Sequence, residues 1–282
     1  MGGCSCGNGW NGLFVVVRHQ CRKPDRRSRS RGEGLFPVTH WPSGYRQIHF
    51  ETIDSTNEEA RRLATLGDAG PVWITADEQA AGRGRRGRSW SSPKGNLSAT
   101  LLLNPRRPAA QSTQLSFVSA IAAAEAVGHF APDADIRVKW PNDVLANSRK
   151  ICGILLESAS AGGEPYFLAI GIGINLAHFP ADTEFPAISL ASLGVPAPPP
   201  RDALTQLAAS FAKWYDRWRG EGFGPIREAW LSRAANLGSR IRARMTKEEA
   251  SGVFEGIDET GALLLRETPE RLRTISAGEV FF

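Results

Sequence analysis

The sequence predicts an α/β protein, a mixed β-sheet packed with helices, followed by a small all-β unit. Three observations lead there. Short apolar runs alternate with helical patterns as far as about residue 235, the signature of sheet and helix in one layered domain. The segment from Leu115 to Phe130 is alanine-rich and almost uninterrupted in its apolar character, as expected of a helix buried on all sides. After Asn236 only short strand-like runs remain.

In order along the chain, Ile48 to Ile53 reads as a strand. Thr56 to Leu66 reads as a helix with Ala60, Leu63 and Ala64 on one face. Val72 to Thr75 and Leu97 to Leu103 are strands that enclose a glycine-arginine segment, so that segment hangs from the sheet. Strands at Ile136 to Lys139, Ile151 to Glu157 and Tyr166 to Gly171 follow the buried helix. Pro196 to Pro200 makes a break before a helix from Asp202 to about Arg219, and another helix runs from about Pro225 to Ala234. The strands Arg240 to Met245, Ala250 to Ile257, Leu263 to Arg266, Leu272 to Ile275 and Glu279 to Phe282 enclose too little core to stand alone, which predicts a small barrel leaning on the larger domain.

The net charge of +5 resides entirely in residues 1–45, which hold seven basic and two acidic residues; the other 237 hold 27 of each sign. The first 45 residues also lack apolar periodicity, so they are expected to be a disordered basic tail. The folded part therefore has no field directed at nucleic acid. Leu13 to Val17 is too short for a signal peptide or a membrane span. An organellar presequence and a start residue placed too far upstream are both open readings of the tail. Of four cysteines, Cys4, Cys6 and Cys21 lie in the tail without metal-ligand spacing, and Cys152 is alone in the core. That usage fits a reducing compartment, the cytoplasm.

Three segments carry chemistry. Gly82-Arg83-Gly84-Arg85-Arg86-Gly87-Arg88 alternates glycines with guanidinium forks, a loop suited to closing over phosphate or carboxylate. Its glycines also fit a dinucleotide fingerprint, but neither the helix nor the later acidic residue of that motif follows. A basic turn without a ligand and an arginine-glycine nucleic-acid tract are the other readings; the stretch is too short for the latter. The second segment, Asp54-Ser55-Thr56-Asn57, sits where a strand ends and a helix begins. Its side chains, with Gln79, can satisfy a neutral ureido ring, while Ser55 with Glu58 three residues on also reads as a capping box. The third places Lys139, Trp140-Pro141-Asn142-Asp143 and Lys150 beside two strand-like runs, the second being Ile151-Cys152-Gly153-Ile154-Leu155-Leu156.

With these residues the chain, from about Gln47 to the C-terminus, resembles the biotin protein ligases of the compact kind that lack an N-terminal DNA-binding domain. The resemblance implies that the last segment is an SH3-like barrel, with residues 46–235 the catalytic domain and 236–282 the barrel. It implies a ligase that joins biotin and ATP, with Mg²⁺, into biotinyl-5′-AMP and passes biotin to a lysine of a biotin carboxyl carrier protein. Lys150 and Arg85 are then the catalytic cations. Ser55, Thr56, Asn57, Gln79, Arg83, Gly84, Arg85, Lys150 and Gly153 fall to biotin. Arg83, Arg85, Arg86, Lys139, Asn142, Asp143 and Asn175 fall to the nucleotide. Asp143 reads equally as a magnesium aid, as a group orienting Lys150, or as part of a turn, so no metal ligand is assigned. The segment from His178 to Leu190 departs from the family pattern in having no tryptophan to cover the adenine, which leaves Phe179 or Phe185 for that contact. A lipoate or octanoyl transferring relative on the same fold is the nearest alternative, and a homodimer stays open.

Overall fold

The structure is a computed structural model and describes residues 40–161 and 164–282. Of the expected tail, residues 1–39 with their three cysteines lie outside the described residues; residues 40–45 do not, and Trp41 and Tyr45 pack against the main core, so the folded part begins before residue 46.

Strands β1 (Arg46–Ile53), β2 (Val72–Gln79), β3 (Leu97–Leu103), β4 (Ile136–Lys139), β5 (Asp143–Ala146), β6 (Arg149–Ala161) and β7 (Glu164–Ile174) form a seven-stranded sheet in the order β1-β2-β3-β7-β6-β5-β4. It is mixed: β1 and β2 run parallel and every other pair is antiparallel. Strand alternation divides β3 between two layers. Leu97, Ala99, Leu101 and Leu103 face the main core, which α3 (Leu115–Phe130), α4 (Pro200–Glu221) and α5 (Gly224–Leu231) complete. Leu102 faces a smaller core with Ala60 of α1 (Thr56–Thr65), Val72, Ile74, Phe167 and Ala169. Because α1 is short, it covers only part of its face of the sheet. The rest of that face is where the candidate site lies.

Besides single 3-10 turns at Arg85–Gly87 and Ala191–Leu193, two elements were not expected. One is α2 (Ala109–Ser112), a single turn behind Pro108. The other is β5, four residues hidden between the turn formers Pro141-Asn142 and Asn147-Ser148. Asn147 and Ser148 both take positive φ, 48° and 62°, and close a tight hairpin between β5 and β6. The helix expected from Asp202 begins at Pro200, which occupies its first turn, where proline costs no hydrogen bond.

Strands β8 (Arg240–Arg244), β9 (Glu249–Ile257), β10 (Leu263–Thr268), β11 (Arg271–Ile275) and β12 (Glu279–Phe281) make an antiparallel five-stranded sheet in the order β11-β10-β9-β8-β12. The turn between β9 and β10 anchors this sheet to the first. Gly261, at φ +89°, presents its carbonyl to the buried indole N–H of Trp140 at 3.0 Å, and the ring of Phe117 occupies the space a side chain would need there. Trp140→Phe keeps an aromatic side chain, though a smaller one, and removes the donor, leaving the Gly261 carbonyl without its indole partner. We expect a loss of about 1 to 3 kcal/mol, read as a lower urea midpoint with an unchanged m-value.

Candidate active site

Six residues, one per strand, lie in register across the sheet: Ala76, Ser98, Gly173, Gly153, Asp143 and Lys139. Over this row, on the face that α1 leaves uncovered, is a cavity of about 340 Å³. Its floor exists because the central strands have no side chains there. A Cβ at Gly153 or Gly173 would collide with the indole of Trp90, and one at Gly171 with the amide of Asn57.

Lys150 reaches this face through an irregularity. In a regular strand, residues three apart point to opposite sides, so Lys150 and Gly153 would be separated. Between β5 and β6 the register shifts: Val144 pairs with Cys152, but Leu145 pairs with Lys150. Ile151 is the extra residue of a β-bulge, and it and Cys152 both enter the main core. The backbone of Lys150 turns instead to the segment after β7, its N–H donating to Pro186 O and its carbonyl accepting from Ile188 N–H. The Lys150 ammonium then lies 2.6 Å from Asp143 Oδ1, an ion-pair contact outside hydrogen-bond alignment.

At the other end of the row the amides and hydroxyls expected there converge. Gln79 Oε1 accepts from the backbone N–H and the hydroxyl of Thr56, and its Nε2 donates to Ser92 Oγ. Thr100 Oγ1 lies 2.7 Å from Thr56 Oγ1 and 2.6 Å from Asn57 Oδ1, and Asn57 Nδ2 donates to Glu157. Ser55 occupies the cap position of α1 but makes no capping hydrogen bond, and Glu58 turns to Arg61 and Arg83. The capping box is therefore absent, and the buried Ser55 side chain lines the cavity.

The glycine-arginine loop arches over the row between β2 and β3. Arg86 at φ 56° and Gly87 at φ 72° make its tight turn, and Gly84 N–H donates to Arg88 O. Arg83 and Arg85 line the cavity together with Gly84. Arg83 is paired with Glu58. Arg85, largely buried, donates from Nη1 to Asn142 Oδ1 at 3.2 Å and to Gly278 O at 3.3 Å. Arg86 does not line the cavity; its guanidinium faces Glu279 at 3.8 Å. Arg88 pairs with the same carboxylate. The second sheet thus contributes directly to the site through Glu279 and Phe281.

Lys139 is 5% exposed, 3.8 Å from Asp143 Oδ2, with its ammonium 3.2 Å from the centre of the Phe185 ring. Burial, with Lys150 nearby, outweighs Asp143 and brings its pKa down to about 8. Phe185 lines the cavity, whereas Phe179 does not and meets Arg149 instead. Asn142 and Asn175 also line it, with amide groups donating to Ile154 O and Ile188 O. Lining residues that sequence reasoning missed include Trp90, Ser98, Glu279 and Phe281. Trp90 could have been found as the aromatic closing the basic loop. Ser98, Glu279 and Phe281 had no signal, because only the sheet register and the docking of the second sheet bring them in.

Among known proteins, the Biotin/lipoate A/B protein ligase family matches residues 49–175, and the biotin protein ligase C-terminal domain matches residues 237–282. A biotin–[acetyl-CoA-carboxylase] ligase from Paracoccus denitrificans is 47% identical over 81% of this chain and 97% of its own. A bifunctional ligase/repressor from Bacillus spizizenii is 32% identical over 92% of this chain and 80% of its own. The solved biotin protein ligase of Aquifex aeolicus in complex with biotin and ATP superposes with a TM-score of 0.72, at 27% identity, over 84% of this chain and 97% of that one. The fold and the match define a protein-modifying ligase of the biotin and lipoate class. Within it, this chain belongs to the biotin protein ligases.

The depressed Lys139 has a measurable consequence. The folded state gives up this proton near pH 8, whereas the unfolded chain holds it to about pH 10.4. The unfolded state therefore binds more protons between those values, and Lys139 makes stability rise with pH through that window. Lys139→Met removes this contribution. The variant's advantage over wild type at pH 7 is expected to shrink by about 2 to 3 kcal/mol at pH 10, measured by denaturant midpoints of both proteins at both pH values.

Proposed function

We propose that this chain makes biotinyl-5′-AMP from biotin and ATP and transfers the biotinyl group to one lysine of a biotin carboxyl carrier protein. The observation that carries this is the convergence of Lys150, Lys139 and Arg85 on one glycine-floored cavity that has an amide-hydroxyl cluster at its far end.

A carboxylate is a poor electrophile and repels a second anion, so its activation requires cations placed between the reacting groups. The carboxylate oxygen attacks the α-phosphorus, the bond to the bridging oxygen breaks, and pyrophosphate leaves. Lys150, fixed by Asp143, stands where carboxylate and α-phosphate meet, and Arg85 and Arg83 neutralise the charge that builds on the phosphates. In the second half, the acceptor amine attacks the acyl carbon, AMP leaves with the bonding pair, and the amine loses a proton. The mixed anhydride is reactive enough that no covalent protein intermediate is needed.

The amide-hydroxyl cluster takes the ureido ring, and Phe185 stands on the adenine side. Magnesium fits this site as an ion carried by the phosphates. Among the described residues no group of three or more acidic, histidine or cysteine side chains could hold a metal, and Asp143, a carboxylate of the cavity, already has the ammonium groups of Lys150 and Lys139 at 2.6 and 3.8 Å. The ion would lend charge to the phosphates, since Mg²⁺ usually takes one or two carboxylates plus phosphate oxygens. We take residues 46–235 as the catalytic domain and 236–282 as the second. The reading places the enzyme in the cytoplasm, and no helix among the described residues is long and apolar enough to cross a membrane.

The deciding experiment offers α-labelled ATP with either biotin or lipoate and asks which acid gives bound acyl-AMP. Adenylation of lipoate alone would move the protein to the other branch of the class. Lys150→Ala should lower pyrophosphate release on the order of 100-fold or more with the fold intact, and Lys150→Arg should restore little of it. A rate within about threefold of wild type would remove Lys150 from the mechanism. Arg85→Gly cuts the ties to Asn142 and Gly278 and should loosen the loop. We expect residual adenylation and escape of the intermediate on the order of 10- to 100-fold faster, seen as biotin on bystander serum albumin in a blot.

A further inference from the structure

Between β7 and the turn at Ala191–Leu193, the segment 176–190 lines the lysine end of the cavity as two limbs. The outgoing limb brings Pro180, Asp182, Thr183 and Glu184 to the cavity wall, and Phe185, where the limbs meet, lies over the Lys139 ammonium. The returning limb has ties of its own. The Lys150 backbone donates to Pro186 O and accepts from Ile188 N–H, Asn175 Nδ2 donates to Ile188 O, and Leu190 N–H donates to Asn175 O.

At its root the outgoing limb is held by one side chain. Asn96, the residue before β3, is 4% exposed and does not line the cavity. Its Oδ1 accepts from three successive backbone N–H groups, those of Leu176, Ala177 and His178, each at 3.0 Å, and its Nδ2 donates to His178 O at 2.9 Å. Adjacent N–H groups aimed at one point form a concavity suited to an anion, and here an amide oxygen fills it. Gly95, at φ +93°, lets the chain pass close by: a Cβ there would stand 3.2 Å from Ala177 Cβ. Asn96 also ends the connection that carries the glycine-arginine loop into β3, so the two segments that cover the cavity meet at this residue. All its side-chain bonds go to the root of the outgoing limb, and none to the polar cluster at the far end of the row.

We propose that Asn96 is a positioning residue for the nucleotide: its carboxamide oxygen sets the direction in which the outgoing limb leaves β7, and so places the wall against which ATP binds. The proposal rests on the ligase reading. Two consequences separate it from a hydrogen bond that serves the fold alone. Loss of the oxygen weakens ATP and leaves biotin alone, since Thr56, Asn57 and Gln79 are held without it. The rate at saturating ATP persists, since the bonds that bracket Lys150 belong to the returning limb.

The test follows biotin-dependent pyrophosphate release against ATP concentration, calorimetric binding of biotin, and melting of the ligand-free protein, for wild type, Asn96→Ala and Asn96→Asp. Alanine removes the oxygen. Aspartate keeps an oxygen for the three N–H groups, which suit a carboxylate, and loses the donor. Both variants should melt below wild type, because each leaves His178 O without its partner. Asn96→Ala is expected to raise the KM for ATP about 5- to 30-fold, with the saturating rate within about threefold and biotin affinity within about twofold of wild type. Asn96→Asp should hold the KM for ATP within about threefold despite its lowered melting temperature. Should Asn96→Ala not fold, Asn96→Ser, whose shorter side chain does not reach all three N–H groups, is judged in its place. A KM for ATP within about twofold of wild type in the alanine variant would overturn the proposal. So would equal weakening of biotin and ATP, a saturating rate lowered as much as the KM is raised, or an aspartate variant as impaired toward ATP as the alanine one. Failure of the wild type to release pyrophosphate with biotin would overturn the ligase reading, and this assignment with it.

Discussion

A sheet face can hold a ligand only where its side chains stop, and here β6 and β7 place Gly153 and Gly173 side by side at the centre of the sheet. The rest of the site is arranged around that gap. Trp90 lies over the two glycines, the polar cluster stands at one end of the row, and Asp143 with its two lysines stands at the other. Any Cβ in the gap strikes either Trp90 or the Asn57 amide, neither of which can withdraw without disturbing the groups it touches. The helices stand behind the sheet, where α3 and α4 share a wide core with the far face of these strands.

The charges follow a single arrangement. Each cation around the cavity has a protein acid or carbonyl within reach: Lys150 and Lys139 share Asp143, Arg83 has Glu58, Arg88 has Glu279, and Arg85 has Gly278 O. A cavity with this many unpaired positive charges would repel itself in a medium where water screens poorly. The partners keep the guanidinium and ammonium groups in position while the ligand is absent. Asp143 serves two lysines at once, as Glu279 serves Arg86 and Arg88, and burial still draws the Lys139 pKa down.

Much of this was legible in the sequence, for reasons that differ by residue. Regular strands such as β3, and the buried helix α3, follow hydrophobic periodicity closely, so their bounds were recovered. Strand β5 was lost because four residues between turn formers carry no period. The glycine-arginine loop and the Ser55-Thr56-Asn57 corner could be read because unusual residue types cluster there within a few positions. Ser98 could not be: a serine in an apolar strand looks like an ordinary half-buried polar residue until the strands on both sides are known. Glu279 and Phe281 are out of reach for a similar reason, since they enter the cavity only through the packing of one sheet on another. Arg86 illustrates the opposite error, in which composition placed a residue on the ligand and the turn at positive φ directs it elsewhere.

The bulge at Ile151 bears on how such a protein can change its length over evolutionary time. Residues gained or lost in most connections are absorbed at the surface, and the Asn147-Ser148 hairpin is of that kind. The interval from Lys150 to Gly153 is different, because it sets the phase between the Lys150 ammonium and the floor beneath it. One further residue there either forces a second irregularity or turns Lys150 into the hydrocarbon layer beside Cys152, and every side chain on the shifted stretch changes layer with it. Indels are thus barred from this interval for geometrical reasons, and a drifting sequence can exchange the residues between Lys150 and Gly153 far more freely than it can change their number.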